Sequence, residues 1–185
     1  QYSFNMKKTL IIFVLFLFPI LISFNSYGGS SDKTVCVKTD AQIRNDIFYL
    51  PKETEPFTGN NLCEYEDGQF KSKGKVKDGK RDGKWTLWHE NGQIEQEGTF
   101  KDGKQDGKGT AWYESGQISE EGIFKDGKRV GKGTLWHENG QIESEGTFKD
   151  GKLDGKVTTW YESGQIKQEG TYKDGKRDGK WTAWH

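Results

Sequence analysis

The chain has 185 residues, of which 28 are basic and 28 acidic, so its formal net charge is zero. This balance excludes the basic field with which nucleic-acid-binding proteins attract their ligand. With 25 Gly, 30% charged and 14% aromatic residues, the chain is polar and has few aliphatic residues for a compact core.

The N-terminal segment has the features of an export signal. Residues 1–5 precede Met6 and are interpreted as an upstream extension. Lys7 and Lys8 then precede an apolar run, and small residues before Gly29 suit cleavage, so residues 6–28 are predicted to be a secretory signal peptide. The apolar run is about 15 residues long, whereas a membrane span needs roughly 20. We expect export to the periplasm, outer envelope or extracellular space, with an uncleaved N-terminal anchor as the alternative.

Two short segments follow the signal. Residues 29–42 are predicted to be a polar linker, and residues 43–58 a lead-in strand and cap that prolines interrupt. Cys36 in the linker and Cys63 beyond the cap are the only cysteines. An even pair in an exported chain predicts one disulfide that fixes the linker to the first repeat. Free thiols or intermolecular pairing are the alternatives.

The rest of the chain repeats with a period of 24 residues. The copies are residues 59–82, 83–106, 107–130, 131–154 and 155–178, followed by a partial copy at 179–185. The first copy is degenerate, since Glu64 replaces a Trp and Val76 a Phe, as expected of a terminal repeat. Such a period indicates stacked supersecondary units that cannot bury their apolar faces alone.

Each unit reads as a β-hairpin, so the predicted fold class is all-β. Asn91-Gly92 is a strong hairpin signal, and residues 102–107 form a longer polar turn with Gly at both ends. Between them lie two strand-length runs with Trp, Thr, Ile and Phe. Equivalent positions of successive copies form a column, and some columns contain the same residue type in almost every copy. A three-residue loop with a Gly bulge, in which residue 90 pairs with residue 94, would place these constant columns on one face, with Gly98 beneath a Trp. These columns are Thr86, Trp88, Ile94 and Phe100 and their copies; Trp85 and Leu87 head variable columns on the opposite face.

Nothing in the repeats predicts catalysis, a cofactor or a metal. His89, His137 and His185 recur every 48 residues, which places neighbours about 19 Å apart in a sheet, too far to share an ion. Glutamates such as Glu90, Glu97, Glu114 and Glu121 recur in register, so we interpret them as cross-strand partners of Lys. We therefore expect a non-enzymatic protein.

The constant Trp column allows two interpretations: a core covered by neighbouring hairpins, or an exposed binding stripe. The candidate stripe consists of Trp88, Trp112, Trp136, Trp160 and Trp184, with Tyr113 and Tyr161. The last residues form only the first strand of a unit, which predicts either that the array continues beyond residue 185 or that the unpaired edge associates end to end with a second chain.

Residues 97–118, EGTFKDGKQDGKGTAWYESGQI, resemble the MORN repeat. The variant with WHENGQI and EGTFKDGK is similar to a bacterial MORN-type family often described as the antitoxin component of a toxin–antitoxin module. The resemblance covers residues 43–185 and implies an elongated, single-layer, twisted antiparallel sheet of stacked hairpins. It also implies scaffolding, self-association or phospholipid contact.

The favoured function is therefore an exported interaction scaffold with a protein partner. A phospholipid-surface or cell-wall glycan binder is the first alternative, because turn lysines such as Lys104 and the aromatic rows would suit such ligands. An antitoxin-like component is the second.

Overall fold

A computed structural model describes residues 33–184, and this part of the chain is built almost entirely of strands. The strands are β1 (Thr34–Val35), β2 (Gln42–Arg44), β3 (Ile47–Tyr49), β4 (Gly59–Glu64), β5 (Phe70–Lys77), β6 (Lys80–Trp88), β7 (Ile94–Lys101), β8 (Lys104–Trp112), β9 (Ile118–Lys125), β10 (Lys128–Trp136), β11 (Ile142–Lys149), β12 (Lys152–Trp160), β13 (Ile166–Lys173) and β14 (Lys176–Ala183). One short helix, α1 (Val37–Asp40), follows β1. The predicted signal peptide and His185 lie outside the described residues. Within residues 33–184, no helix is long and apolar enough to span a membrane.

β1 and β4 to β14 form one open 12-stranded sheet in which consecutive repeat strands are neighbours. All pairings in it are antiparallel except that of β1 with β4. The strands β2 and β3 form a separate hairpin. The all-β prediction of a single-layer antiparallel sheet of stacked hairpins is therefore confirmed.

Two kinds of turn alternate along the two sides of the sheet where the strands end, and we call these two sides the edges of the array. At one edge, the N–H of His89 bonds to the carbonyl of Gln93 at 2.9 Å, and Gly92, with φ 81°, closes a three-residue loop. At the other edge, Asp102 and Gly103 have φ of 51° and 84° and form a two-residue turn with both central φ positive. The longer polar turn predicted over 102–107 is therefore wrong. Gly107 lies inside β8, where its φ of 126° accompanies a register shift.

A bulge decides which side chains share a face. Trp88 pairs with Ile94, yet Leu87 pairs with Gln96, so one extra residue of β7 lies between the two pairs. This residue reverses the direction of the side chains beyond it, so that Phe100 and Ile94 lie on opposite faces. The prediction that every constant apolar column shares one face is therefore wrong. We call the side with the Thr86, Trp88 and Ile94 columns the tryptophan face, and the side with the Trp85, Leu87 and Phe100 columns the core face.

The N-terminal segment 33–58 folds over the core face of the first repeats; it includes the predicted lead-in strand and cap at 43–58, and from here on we call the whole segment the cap. Val37, Phe57, Val76 and Trp85 form the buried core there. Of the stretch 29–42 predicted to be a linker, the described residues instead contain β1 and α1, because several bonds fix them to β4. Cys36 and Cys63 form a disulfide with an S–S distance of 2.00 Å. These contacts make the cap an integral part of the fold.

The fully buried Asn61 is the polar centre of this junction. Its Oδ1 accepts from the N–H of Val37 at 3.0 Å, and its Nδ2 donates to Oγ of Ser72 at 3.0 Å. Both ends of the amide are thus satisfied, as a buried polar group requires. The side chain connects the cap, β4 and β5.

Close approach of backbone and indole occurs on the core face and not beneath the constant Trp column. A Cβ added at Gly74 would overlap the ring of Trp85, and one added at Gly170 would overlap Trp181. At Gly98, which the sequence places under a Trp, the nearest side-chain atom is that of Gln105. Glycine is therefore needed where the variable column contains Trp.

Candidate interaction surface

Hydrogen bonds tie successive repeats together along the three-residue turns. The side chain one residue after the constant Trp position, which Glu64 occupies in the first copy, reaches the backbone carbonyl of the Trp in the next repeat, 23 residues further on. The bonds are Tyr65 Oη to Trp88 O (2.7 Å), His89 Nε2 to Trp112 O (3.0 Å), Tyr113 Oη to Trp136 O (2.6 Å), His137 Nε2 to Trp160 O (3.1 Å) and Tyr161 Oη to Trp184 O (2.9 Å). The Trp carbonyls are thus held in a row.

The alternation of Tyr and His in this column has a chemical explanation. A carbonyl oxygen only accepts, so His89 and His137 must carry the proton on Nε2 and donate, as the Tyr hydroxyls do. Burial, and then the charges of Glu143 and Glu138, raise the pKa of Tyr113, which keeps its hydroxyl protonated. Sequence reasoning identified Tyr113 and Tyr161 only as members of a binding stripe. The signal it missed is that both residue types in the column are long side chains with a donor at the tip.

The neighbouring column alternates Asn and Ser, and Asn has a double role there. Asn91 Oδ1 accepts from the N–H of Gln93 at 2.9 Å, which stabilises its own turn. Its Nδ2 donates to the carbonyl of Glu114 in the next turn at 2.7 Å. Asn139 makes the same two bonds, to Gln141 and Glu162. Every second turn is therefore joined to the next by two side chains instead of one.

The opposite edge is tied by backbone bonds. The N–H of Gly103 donates to the carbonyl of Arg81 at 3.0 Å, and that of Gly127 to Gln105 at 2.8 Å. The same bond recurs from Gly151 to Arg129 and from Gly175 to Leu153. Because both edges are fixed, the repeats form a pre-organised surface whose side chains keep their spacing.

The tryptophan ladder, as we call Trp88, Trp112, Trp136, Trp160 and Trp184, lies on the tryptophan face beside the three-residue turns. Its first four members are half-buried, and Trp184 is 41% exposed. The Ile column lies alongside, with Ile118 37% and Ile166 40% exposed. The cap packs on the other face, so in the described part of the chain no second layer covers this apolar stripe.

A row of ion pairs borders the ladder. Lys84 pairs with Glu97 at 2.7 Å and Lys108 with Glu121 at 2.6 Å, so of the four glutamates expected to pair with Lys, the expectation is confirmed for these two. The row continues with Lys132–Glu145 and Lys156–Glu169. Among the described residues, Glu90 and Glu114 make no ion pair. Exposed pairs of this kind add little stability, but they give the stripe a charged rim.

Comparison with known families identifies the repeat. The model of the MORN repeat variant matches residues 81–102, 129–150 and 153–174, and the model of the MORN repeat matches residues 97–118 and 169–180. The chain carries MORN repeats. Such repeats are generally protein-binding or membrane-binding units of a non-catalytic scaffold type. A comparison with curated proteins gives no match.

The MORN array places the candidate residues in one region but gives them different roles. The ladder rings form the half-exposed surface, whereas the hydroxyls of Tyr113 and Tyr161 are engaged in bonds between repeats. His89 and His137 are likewise bound to carbonyls. Within residues 33–184, no group of His, Cys, Asp or Glu is arranged to hold a metal ion.

Proposed function

We propose that the MORN array is a non-enzymatic scaffold that binds a protein partner along the tryptophan ladder. The observation that carries this proposal is the position of the cap. It covers the core face of the first repeats, while the face with the constant Trp and Ile columns is left without a second layer. A contiguous apolar stripe with a polar border is the usual form of an interaction surface.

The chemistry of the ladder favours a protein over the other ligand classes. Protein interfaces combine an aromatic centre with a charged rim, and Trp is enriched among the residues that dominate binding energy. Here half-buried Trp rings lie beside the Lys84–Glu97 row of ion pairs. The bonds at both edges fix the backbone that carries the rings before binding, which lowers the entropy lost on association.

A phospholipid surface is the second candidate, supported by the exposed lysines of the two-residue turns. Lys104, Lys128, Lys152 and Lys176 are all exposed. Each lies two residues from an equally exposed Asp, such as Asp102 beside Lys104, which cancels much of the attraction to an anionic membrane. The protein partner is therefore preferred.

We place this scaffold in the cell envelope or outside the cell. Residues 6–28 have the pattern of a signal peptide, and the Cys36–Cys63 disulfide suits an oxidising compartment. Fractionation of cells that express the full chain tests this placement. Recovery in the cytoplasm with both thiols reduced would contradict it.

Affinity capture with matched variants tests the binding function. The immobilised full chain, Trp112→Ala/Trp136→Ala and Leu135→Ala are exposed to cell extract, anionic phosphatidylglycerol vesicles and cell-wall fragments. Leu135 is the control, because it lies on the core face of the same strand as Trp136. We expect one protein to be retained by the wild type and by Leu135→Ala, and at least tenfold less by the double variant. Trp-dependent retention of vesicles or wall fragments alone would contradict the protein partner.

A further inference from the structure

One arginine of the core face, Arg129, has a carboxylate partner within the chain. The Arg129 guanidinium lies over the rings of Phe124 and Phe148, 5.4 and 5.2 Å from their centroids. It forms an ion pair with Glu120, nine residues earlier. The chain thus supplies a carboxylate of its own at this position.

Arg81 occupies the equivalent position two repeats earlier, but its carboxylate is missing. Its guanidinium lies 4.7 Å from the ring centroid of Trp85 and 5.3 Å from that of Phe100. The residue nine positions earlier is Ser72, and no acidic side chain pairs with Arg81 within the described part of the chain. Burial lowers the pKa of Arg81, so this cation is partly desolvated without a compensating charge.

A cavity of about 450 Å³ opens beside this arginine, between the cap and the core face. Ser72 and Arg81 contribute polar groups, whereas Phe48, Trp85 and Leu87 contribute apolar walls. The volume lies in the range of small-molecule sites, which combine apolar walls with a few polar groups that fix orientation. The cavity beside Arg129 is smaller, about 200 Å³, and Glu120 lines it, whereas no carboxylate of the described residues occupies Arg81 in the cavity beneath the cap.

We propose that this cavity binds a small organic acid, with its carboxylate on Arg81 in the place that Glu120 takes at Arg129 and its apolar body against Trp85, Leu87 and Phe48. Lys38 and Lys71 also line the cavity and add positive charge, and Glu95 is the one acidic residue in its lining. The site is on the core face, so it is separate from the tryptophan ladder and does not depend on the partner proposed there.

Two acids of different shape serve as probes: octanoate and naphthalene-2-acetate. Their neutral counterparts, 1-octanol and 2-naphthaleneethanol, have matching apolar bodies. Isothermal titration of the full chain should show saturable binding of at least one acid, at least tenfold tighter than its alcohol, because the charge-assisted bond is absent in the alcohol. Equal binding of acid and alcohol, or no saturable binding of either acid, would overturn the proposal.

Substitutions to residues that occupy the same positions in other repeats test whether the carboxylate of the ligand binds Arg81. Arg81→Gln introduces the residue that Gln105 supplies one repeat later and should weaken binding at least tenfold, whereas Arg129→Gln should leave it unchanged. Ser72→Glu should supply an internal carboxylate and bind at least tenfold more weakly than Ser72→Gln, which has the same shape without the charge. Glu95→Gln should tighten binding. Equal affinity of the two Ser72 variants would overturn the proposal even if Arg81→Gln failed to fold.

Discussion

The hydroxyl group of Tyr113 donates a hydrogen bond of 2.6 Å to the backbone carbonyl of Trp136, one repeat further along the chain. The bond joins a member of the alternating Tyr/His column to the constant Trp column. Because the acceptor is backbone, the Trp side chain remains on the tryptophan face while its main chain is fixed. The same column therefore holds the repeats together and presents the ladder.

Removal of the Tyr113 hydroxyl tests this bond. Tyr113→Phe should lower the free energy of unfolding by about 0.5–1.5 kcal/mol, because a carbonyl in a partly buried position loses its donor. Tyr172→Phe is the control, since no hydrogen bond of its hydroxyl is found in the described residues and the copies of that position at 100, 124 and 148 are Phe. Urea unfolding measures both variants, and equal stability of the two would contradict the role of the bond.

Two glycines of one column should respond in opposite ways to the same substitution. Gly74→Ala should destabilise the protein by about 1–3 kcal/mol, because its new methyl group overlaps the buried ring of Trp85. Gly122→Ala, two repeats later, should be neutral or stabilising by up to about 1 kcal/mol, because the nearest atom, on Phe124, is 3.7 Å away. Thermal unfolding compares the two variants. An equal loss in both would contradict the specific Gly–Trp packing.

The disulfide should hold the cap on the sheet. Its cysteines are 27 residues apart, for which loop-closure entropy gives a stabilisation of about 3–4 kcal/mol. Cys36→Ser/Cys63→Ser should therefore lower amide protection in residues 33–58 far more than in β10 to β12. Hydrogen exchange read by mass spectrometry measures the difference. Unchanged protection of the cap would show that Asn61 and the apolar contacts suffice.

The ion pair of Asp154 and Lys173 predicts a pH dependence with a definite sign. The bond from Lys173, at 3.1 Å, and then the N–H of Asp174 lower the pKa of Asp154 below its ordinary 3.8. A carboxyl group of this kind adds stability above about pH 4, and this stability is lost as pH falls through its folded-state pKa. Asp154→Asn should thus be less stable than wild type at neutral pH but not in strong acid.

Asp150→Asn is the matched control, because Asp150 lies in the adjacent turn and makes no ion pair among the described residues. Denaturant unfolding between about pH 7 and pH 2.5 follows both variants. A stability difference for Asp154→Asn that stays constant over this range would contradict the electrostatic origin.

The repeat pattern was sufficient to predict the hairpins, the sheet and the degenerate sequence of the first repeat. The columns could not be assigned to the two faces from the sequence. The bulge between Ile94 and Gln96 reverses the direction of the side chains beyond it, and no residue type there is specific to a bulge. Trp85 consequently looked like a variable surface residue, although it is only 2% exposed beneath the cap. The folding of the cap over the core face is a tertiary contact, which a local periodicity does not encode.

The candidate site was predictable in part. The constant Trp column was predictable from the repeat period. The sequence allowed either a covered core or an exposed binding stripe, and the half-buried Trp rings lie between these two interpretations. The unpaired Arg81 was not visible, because it becomes unusual only when Ser72 is compared with Glu120 in three dimensions. Roles that depend on register therefore needed the structure.

Photo-crosslinking from adjacent residues of β10 tests most directly whether the ladder is the binding surface. Benzoylphenylalanine replaces either Trp136 or Leu135, whose side chains lie on opposite faces of the sheet. Irradiation in the native cell should join one protein partner to the chain from position 136, and this adduct should be absent from position 135. The same adduct from both positions, an adduct from position 135 alone, or no protein adduct from position 136 would contradict binding along the tryptophan ladder.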